Sequence, residues 1–372
     1  MMKQVVFDRG PFGQRTQFSN PLYIIEATEI VDVSKAFDEI EKARAAGYWV
    51  SGYASFELGY CFEKRLERFL LRKRKIPLML FGVFEPGQIS QVEEPELAPV
   101  DVTNPEPLQD FSAYERAFHT VHEYTCAGDI YQANLTFPMQ LKTTATPAEF
   151  YQALCHKQPV EHGAFVDLGG PVILSRSPEL FFRVNQSGLI ETRPMKGTIR
   201  RGNSIAEDEA LHNQLAYSPK DRAENLMITD LLRNDVARVT EVGSVKVPEL
   251  FQIESYTTVH QMVSHVQGQL LPQIDLKMLF EALFPCGSVV GAPKVRAMEI
   301  IAEMEPSPRD VYCGAIGWIA PDNRMAFNVA IRTLIVEESC NVRLNVGGGI
   351  VYDSTAKSEY DEALLKARFA VL

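Results

Sequence analysis

The stretch from residue 163 to 194 limits the fold more than any other part of this sequence. Four short strand-forming runs lie there: "GAFVDL", "PVILSRS", "ELFFRV" and "GLIETRP". Gly-Gly, Ser-Pro and Asn-Gln-Ser-Gly turns separate them, and turns this short join antiparallel strands. The stretch therefore predicts an antiparallel meander.

The remaining pattern places strands and helices in separate runs rather than in strict alternation. Helix-like segments are "SAYERAFHTVHEYTCAG", "PKDRAENLMITDLLRND", "DLKMLFEALF", "APKVRAMEIIAEM" and "TAKSEYDEALLKARFAV". Two or three strands are expected between "CGAIGWIA" and "LNVGGGI", ahead of the last of these helices. We therefore predict an α+β fold, a layered sandwich with outer helices, rather than a doubly wound parallel sheet.

Three regions follow one another along the chain. Residues 1–84 mix strand-like runs with one helix at "SKAFDEIEKARAAG", for which Ser34 is the predicted N-cap and Gly47 the stop, and they form a predicted N-terminal subdomain. Residues 85–110 are acidic and hold five prolines, which predicts a linker or an edge excursion. Residues 111–372 hold the dense pattern of the main, catalytic region.

Composition excludes several classes of protein. The formal net charge of -11 argues against nucleic acid as the main partner. The six cysteines are scattered without a CxxC pair, which fits a reducing cytosol better than a disulfide or zinc framework. No apolar run approaches the roughly 18 residues that a membrane span needs. We expect a cytoplasmic protein that binds neither nucleic acid nor membrane.

Two helices each offer a pair of carboxylates three residues apart. The pairs are Asp221 with Glu224 and Glu359 with Glu362, and Lys366 continues the second stripe. A solvated helix face with an i, i+4 salt bridge is one interpretation. The other is a site for Mg²⁺, which takes one or two protein carboxylates and leaves positions for water and substrate oxygens.

Other residue types suggest anion binding or acid–base chemistry. The "GGGIVYD" segment, residues 347–353, would present backbone N–H groups to an anion or form a plain turn. Ser288 precedes a predicted helix start that fails the P-loop pattern, so it is kept only as a hydroxyl contact. Glu179 stands beside apolar residues that would raise its pKa, unless it faces water. Arg332 lies in an apolar strand, where an arginine usually pairs with an anionic group.

The segment "RPMKGTIRRG" raises the question of what Lys196 does. A glycine directly after this lysine allows another molecule to approach the backbone closely. The residues alone leave three alternatives open: a surface ammonium, an anion contact or a nucleophile. For His260, which lies in a strand-like run, a structural role is the commoner explanation.

Seven ordered motifs give the chain a resemblance to a known family. They are "GDIYQANL", "SRSPELFF", "RPMKGTIRRG", "DRAENLMITDLLRND", "GSVVGAPKVRAME", "NVAIRTL" and "VGGGIVYDSTAKSEYDEALLKA". Together they resemble the chorismate-utilising enzymes, which include anthranilate, isochorismate, salicylate and aminodeoxychorismate synthases. The resemblance is dense over residues 111–372 and weak over the first 84. It implies two stacked antiparallel sheets with helices outside, and a site that binds chorismate through Mg²⁺.

The resemblance also implies roles for individual residues. Glu224 and Glu362 would be metal ligands, with Asp221 and Glu359 close behind. Residues implied to contact the substrate are Arg332, Lys366, Ser288, Thr198, Gln132, His260, which would line the ring pocket, and the amides of Gly348 and Gly349.

Two positions separate the members of the family. Anthranilate synthases have alanine where this chain has Lys196, whereas aminodeoxychorismate synthases have a lysine that is taken to attack the ring while Glu179 supplies a proton. Isochorismate and salicylate synthases carry a lysine base at the position of Gln132, so they are disfavoured. The resemblance therefore favours component I of an aminodeoxychorismate synthase, an enzyme that uses ammonia from solution or from a glutamine amidotransferase subunit. The alternatives are an anthranilate synthase component I with an atypical lysine and a non-catalytic chorismate-binding subunit.

Overall fold

The structure, a computed structural model, describes residues 3–71, 74–93, 99–256, 259–337 and 340–372. The α-helices in these ranges are α1 (Ile30–Ala45), α2 (Phe111–Ala127), α3 (Pro147–Lys157), α4 (Ile205–Ala216), α5 (Pro219–Ala237), α6 (Leu276–Leu283), α7 (Lys294–Met304) and α8 (Ala356–Ala367). The strands are β1 (Gln4–Phe7), β2 (Thr16–Ser19), β3 (Tyr23–Ala27), β4 (Trp49–Ala54), β5 (Met79–Phe84), β6 (Ile89–Gln91), β7 (Glu106–Pro107), β8 (Gln132–Lys142), β9 (His162–Asp167), β10 (Val172–Ser177), β11 (Leu180–Val184), β12 (Leu189–Thr192), β13 (Met195–Arg200), β14 (Lys246–Ser255), β15 (Val259–Gln269), β16 (Gly291–Ala292), β17 (Ala315–Ile319), β18 (Met325–Val329), β19 (Thr333–Val336) and β20 (Asn341–Ile350).

Within the described ranges the strands form two ten-stranded antiparallel sheets. The first has the order β16-β8-β20-β19-β10-β9-β1-β2-β6, with β7 beside β8. The second has the order β13-β15-β12-β11-β18-β17-β4-β5-β3, with β14 beside β15. Strands from the first 84 residues pair directly with later strands, since β1 pairs with β9 and β4 with β17. The predicted α+β sandwich of two antiparallel sheets is confirmed.

Apolar side chains from both sheets bury one another and form the core between them. In one cluster Phe7 and Ile173 of the first sheet lie with Trp49 and Ile316 of the second. The alternation of side chains along a strand supplies this inner face, because every second residue points to the same side. Helices pack against the sheets from outside, with α5 against β15 and α8 along β20. Those two helices carry the predicted carboxylate pairs.

The first helix begins earlier than the sequence predicted. Helix α1 starts at Ile30, and Glu29 rather than Ser34 is its N-cap. A capping box explains the difference, because Glu29 accepts from the backbone at Asp32 while the Asp32 side chain accepts from the Glu29 N–H at 3.0 Å. Gly47 does follow the end of the helix, with a positive φ of 89°.

The predicted meander is wrong, because its four strands are divided between the two sheets. Strands β9 and β10 form a hairpin in the first sheet, and β11 and β12 form one in the second. The chain crosses between the sheets at Ser177, Pro178 and Glu179, where proline offers no N–H to continue a ladder. Glu179 is thereby buried at the crossing point, with 4% of its surface exposed.

Two further expectations are corrected near the C-terminal end of the sequence. Four strands, β17 to β20, stand where two or three were expected. The glycines 347–349 lie inside β20, opposite Thr136, Leu135 and Asn134 of β8, rather than in a turn after a strand. Helices α3 and α4 were not expected. Proline and threonine explain α3, since Thr146 caps it and Pro147 opens it.

The proline-rich stretch 85–110 lies at the margins of the first sheet. Strand β6 pairs with β2 at one edge, and β7 pairs with β8. Part of the predicted linker, residues 94–98, lies outside the described residues. Among the residues that are described, no helix is long and apolar enough to cross a membrane.

Candidate active site

Lys196 lies in a bulge of the edge strand β13. Met195 is opposite Val263 of β15, but Thr198 is opposite Gln261, so β13 holds one extra residue between these pairs. Gly197 has a φ of +89°, a conformation that a side chain would disfavour. Because a bulge redirects side chains, the lysine need not follow the alternation of its strand.

Acidic groups from three different elements act electrostatically on the amine of Lys196. Burial lowers its pKa, while the charges of Glu224 on α5, Glu179 at the sheet crossing and Glu362 on α8 act to raise it. The charge of Lys366 adds to the lowering. The pKa of Lys196 is lowered on balance, which favours a neutral, nucleophilic amine.

Glu179 is a buried carboxyl group with a raised pKa. Burial raises its pKa from 4.5 to about 7, while the hydrogen bond from Ser288 and the charge of Lys196 oppose the rise. The Ser288 hydroxyl donates to Glu179 Oε1 over 2.7 Å, and Ser288 is itself buried. A carboxyl group with this pKa is partly protonated at neutral pH, so it is suited to act as a general acid.

Helix α8 supplies a second acidic group and a cation. The Lys366 Nζ lies 2.8 Å from Glu362 Oε1 and donates to the Gly347 carbonyl oxygen over 2.9 Å. Burial would raise the pKa of Glu362, but Lys366 and Lys196 outweigh it and the pKa is lowered. Glu362 therefore stays ionised. The pKa of Glu359 is raised by burial, although Ser354 donates to its Oε1 over 2.7 Å.

Two glycines of β20 leave room that side chains would fill. A Cβ at Gly348 would stand 3.0 Å from Glu359 Oε2 and 3.5 Å from Lys366 Nζ. A Cβ at Gly349 would stand 2.7 Å from the side-chain nitrogen of Gln132. Gln132 is fully buried, and neither its amide oxygen nor its amide nitrogen has a hydrogen-bond partner within the described residues. A buried amide without partners is costly, so a ligand is the natural partner for it.

Arg332 is a half-buried arginine between strands β18 and β19. Burial alone lowers its pKa, and no carboxylate among the residues the structure describes forms an ion pair with it. Its backbone has a positive φ of 48°, which is uncommon for a non-glycine residue and clusters at functional sites. A half-buried guanidinium in this state is suited to hold an anionic group.

The structure does not bring His260 to this cluster. Its Nε2 lies 3.0 Å from Asp208 Oδ1 and its Nδ1 lies 2.8 Å from the Ser255 hydroxyl. These contacts hold the ring against helix α4, as expected for a structural histidine. Thr198 is exposed, and its hydroxyl donates to Gln261 Oε1 over 2.7 Å. Asp221 lies directly beside Gly197, where an added Cβ would stand 3.0 Å from Asp221 Oδ1.

Sequence reasoning missed two residues that contact the lysine segment, Asn225 and Gln261. Asn225 is fully buried next to Glu224, and its side chain reaches toward the Lys196 carbonyl oxygen at 3.5 Å. Gln261 follows His260 on β15 and donates to the Gly197 carbonyl oxygen over 2.8 Å. The alternation of strand side chains was the available signal, because neighbours such as His260 and Gln261 must face opposite sides.

The described acidic side chains of the site could supply two carboxylate ligands to a Mg²⁺ ion, but no complete set of metal ligands. No three of the described His, Cys, Asp and Glu side chains approach closely enough to hold a metal by themselves. Glu224 on α5 and Glu362 on α8 both act electrostatically on Lys196, and Mg²⁺ needs only one or two carboxylates when a substrate supplies further oxygens. These two ionisable side chains are the residues that would hold it.

A comparison with known families identifies the class of protein. Residues 88–371 match the family described as chorismate binding enzyme. The match covers more than half of the chain, so the chain belongs to this family.

All six cysteines are free thiols.

Within this family, the chain is similar in sequence to several curated relatives. The chain is 44% identical over 253 residues to aminodeoxychorismate synthase component 1 of Escherichia coli (strain K12), which covers 68% of this chain and 55% of the relative. It is 40% identical over 255 residues to the protein of the same name from Bacillus subtilis (strain 168), covering 68% and 54%. The chain thus spans about half the length of these curated relatives.

A solved structure supports the fold over nearly the whole chain. Anthranilate synthase component I from Streptococcus pneumoniae TIGR4 superposes with a TM-score of 0.81 at 25% identity, covering 99% of this chain and 92% of that one. A putative isochorismate synthase from Bacillus anthracis gives 0.77 at 21% identity, which bears on the fold alone.

Proposed function

We propose that this chain is component I of an aminodeoxychorismate synthase, an enzyme that converts chorismate and ammonia to 4-amino-4-deoxychorismate for 4-aminobenzoate and folate synthesis. The observation that carries the proposal is the position of Lys196 among Glu179, Glu224 and Glu362. A non-catalytic binding subunit would have no need of an amine with a lowered pKa beside an acid with a pKa of about 7.

The reaction follows from these two groups acting together. The neutral amine of Lys196 adds at C2 of the ring, the double bond shifts, and the C4 hydroxyl leaves as water after it takes a proton from Glu179. Ammonia then adds at C4 as the double bond shifts back and the lysine is expelled from C2 as a neutral amine. The new C4 ammonium returns a proton to the Glu179 carboxylate. Chorismate and ammonia thus give aminodeoxychorismate and water, and the lysine returns to its free form.

The substrate's two carboxylates have two candidate holding sites. Arg332 supports one of them, because its half-buried guanidinium has no carboxylate partner in the described part of the chain. Lys366, with the backbone of Gly348 and Gly349, supports the other. Gln132 offers hydrogen bonds to the polar groups of the ring, since it is wholly buried and unpaired within the described residues. The Ser288 hydroxyl donates to Glu179, so toward the ring it would act as an acceptor. Thr198 and His260 contribute less, because each has its polar atoms engaged by protein groups.

Mg²⁺ is the proposed cofactor. Glu224 and Glu362 would hold it, and the carboxylates of Asp221 and Glu359 would lie near these two ligands. When bound it would neutralise a substrate carboxylate and fix the ring's position. The proposed partner is a glutamine amidotransferase subunit that supplies ammonia, and the proposed location is the cytoplasm. The free thiols support that location.

Product identity tests the proposal. The purified chain is incubated with chorismate, Mg²⁺ and ammonium, and the products are separated by chromatography with fluorescence and absorbance detection. We expect aminodeoxychorismate, which a 4-aminobenzoate-forming lyase added to the mixture converts to 4-aminobenzoate. Anthranilate as the main product would overturn the proposal in favour of an anthranilate synthase component I.

A lysine variant tests the covalent step separately. Lys196→Ala should abolish aminodeoxychorismate formation while chorismate binding, measured by calorimetry, stays within a few-fold of the wild type. Lys246→Ala, at an exposed lysine of β14, is the matched control and should retain full activity. Unchanged turnover in Lys196→Ala would remove the covalent mechanism without changing the identity of the product.

A further inference from the structure

The bulge that holds Lys196 has little intrinsic rigidity. Gly197 follows the lysine directly and has a φ of +89°, in a region that glycine enters and leaves freely. Strand β13 lies at the end of its sheet, and β15 is its only partner among the described strands. A nucleophile on such a segment would sample many directions unless other groups restrain it.

Gln261 restrains the bulge through both ends of its side-chain amide. Its Nε2 donates to the Gly197 carbonyl oxygen over 2.8 Å. Its Oε1 accepts from the Thr198 hydroxyl over 2.7 Å. The two contacts fall on the two residues that follow Lys196, at the point where the register with β15 slips. Both lengths are within the ordinary range for hydrogen bonds.

The other contact to this backbone is weaker. Asn225 Nδ2 lies 3.5 Å from the Lys196 carbonyl oxygen and 3.4 Å from the Met262 carbonyl oxygen, so it shares its donors between two long contacts. Asn225 is itself fixed, since the Ser264 hydroxyl donates to its Oδ1 over 2.5 Å. Gln261 therefore supplies the shorter hydrogen bonds that define the bulge.

We propose that Gln261 is a positioning residue that closes the Lys196–Thr198 bulge and directs the lysine amine toward the acidic cluster. It acts on the Gly197 backbone and the Thr198 hydroxyl, and not on the substrate. The inference rests on the proposed function only in treating Lys196 as the reactive amine. Without Gln261, water takes over the two hydrogen bonds of the bulge and the amine samples more solvated directions.

The first test measures the pH titration of the Lys196 amine and needs no substrate. Lys196 is acetylated competitively with trace acetic anhydride over a range of pH, and its peptide is quantified by mass spectrometry. In the wild type we expect it to titrate below ordinary lysines. Gln261→Ala should move that titration toward the ordinary value, and Thr198→Val, which removes one of the two hydrogen bonds, should move it in the same direction by less.

A variant on the same strand provides the matched control. Gln269 also donates its side-chain amide to a backbone carbonyl, that of Ser187, over 2.8 Å, but at the remote hairpin of β11 and β12. Gln269→Ala should leave the titration of Lys196 unchanged. If Gln261→Ala does not fold, Thr198→Val alone decides the outcome.

Steady-state kinetics adds a second readout. A misdirected nucleophile should lower kcat by about 10- to 100-fold, because displacement by 1 Å costs on that order. KM for chorismate should stay within about 3-fold, since the substrate contacts are intact. A Lys196 titration in Gln261→Ala identical to the wild type would overturn the inference. Because the labelling is done without chorismate, this result is independent of whether the product is aminodeoxychorismate or anthranilate.

Discussion

Removal of the Ser288 hydroxyl tests the role of Glu179 most directly. The hydroxyl donates to Glu179 Oε1 over 2.7 Å in a buried setting, and this bond favours the ionised form of the carboxyl group. Ser288→Ala removes the donor and leaves the rest of the environment in place. The carboxylate loses its stabilisation, so the pKa of Glu179 must rise.

The magnitude follows from the strength of the hydrogen bond. Hydrogen bonds to charged groups are worth about 1.5–3 kcal/mol, and 1.36 kcal/mol corresponds to one pH unit. The pKa of Glu179, about 7 in the wild type, should therefore rise by roughly one to two pH units. A general acid works only while protonated, so activity is lost as pH rises through its pKa.

The assay is the pH dependence of kcat for the proposed reaction, aminodeoxychorismate formation, between pH 6 and pH 10, with Mg²⁺ and ammonia at saturation throughout. We expect the alkaline limb of the pH profile to lie at a higher pH in Ser288→Ala than in the wild type. Ser187→Ala, at the exposed turn between β11 and β12, should leave the limb in place. An alkaline limb that stays fixed or moves to lower pH in Ser288→Ala would refute the assignment of Glu179 as the acid.

Three further predictions follow from the same site. The pKa of Glu179 is about 7 in the folded protein against an ordinary 4.5, so the protein loses about 3 kcal/mol of stability as the pH rises from below 4.5 to above 7. Glu179→Gln should therefore flatten the pH dependence of the free energy of unfolding in urea over that range, and parallel curves for the two proteins would contradict this. Gly348→Ala should raise KM for chorismate about 10-fold, because the added Cβ would crowd Glu359 and Lys366. The control Gly87→Ala, whose added Cβ would meet no atom within 4 Å, should leave KM unchanged, and equal KM values in the two variants would count against a role for Gly348. Arg332→Gln should raise KM by about 10- to 100-fold through the loss of a carboxylate contact, as measured in initial-rate assays, and an unchanged KM would exclude that contact.

Local features of the site were predictable from the sequence because they depend on near neighbours. The spacing of Glu359, Glu362 and Lys366 puts them on one helical face whatever the helix packs against, and the structure has that helix. The layered α+β class followed from the order of strand-like and helix-like runs. The seven motifs pointed to the family to which the chain belongs.

The mutual arrangement of the elements was not predictable in the same way, because strand pairing joins residues far apart in the chain. The meander and its division between two sheets have the same local pattern, and only the partners of β10 and β11, namely β19 and β18, decide between them. That division buries Glu179. Similarly, the bulge in β13 is invisible in "RPMKGTIRRG", yet it is what sets Gln261 against Gly197 and Thr198, the two residues after Lys196.

The sequence by itself thus determined which residues share a helical face, which runs become strands and which family the chain resembles. The tertiary structure alone decided which buried groups lose their hydration and which charges face them. The reason is physical: the pKa values of Lys196 and Glu179 depend on burial and on charges from α5, α8 and the crossing between the sheets, and these come together only when the two sheets close on each other.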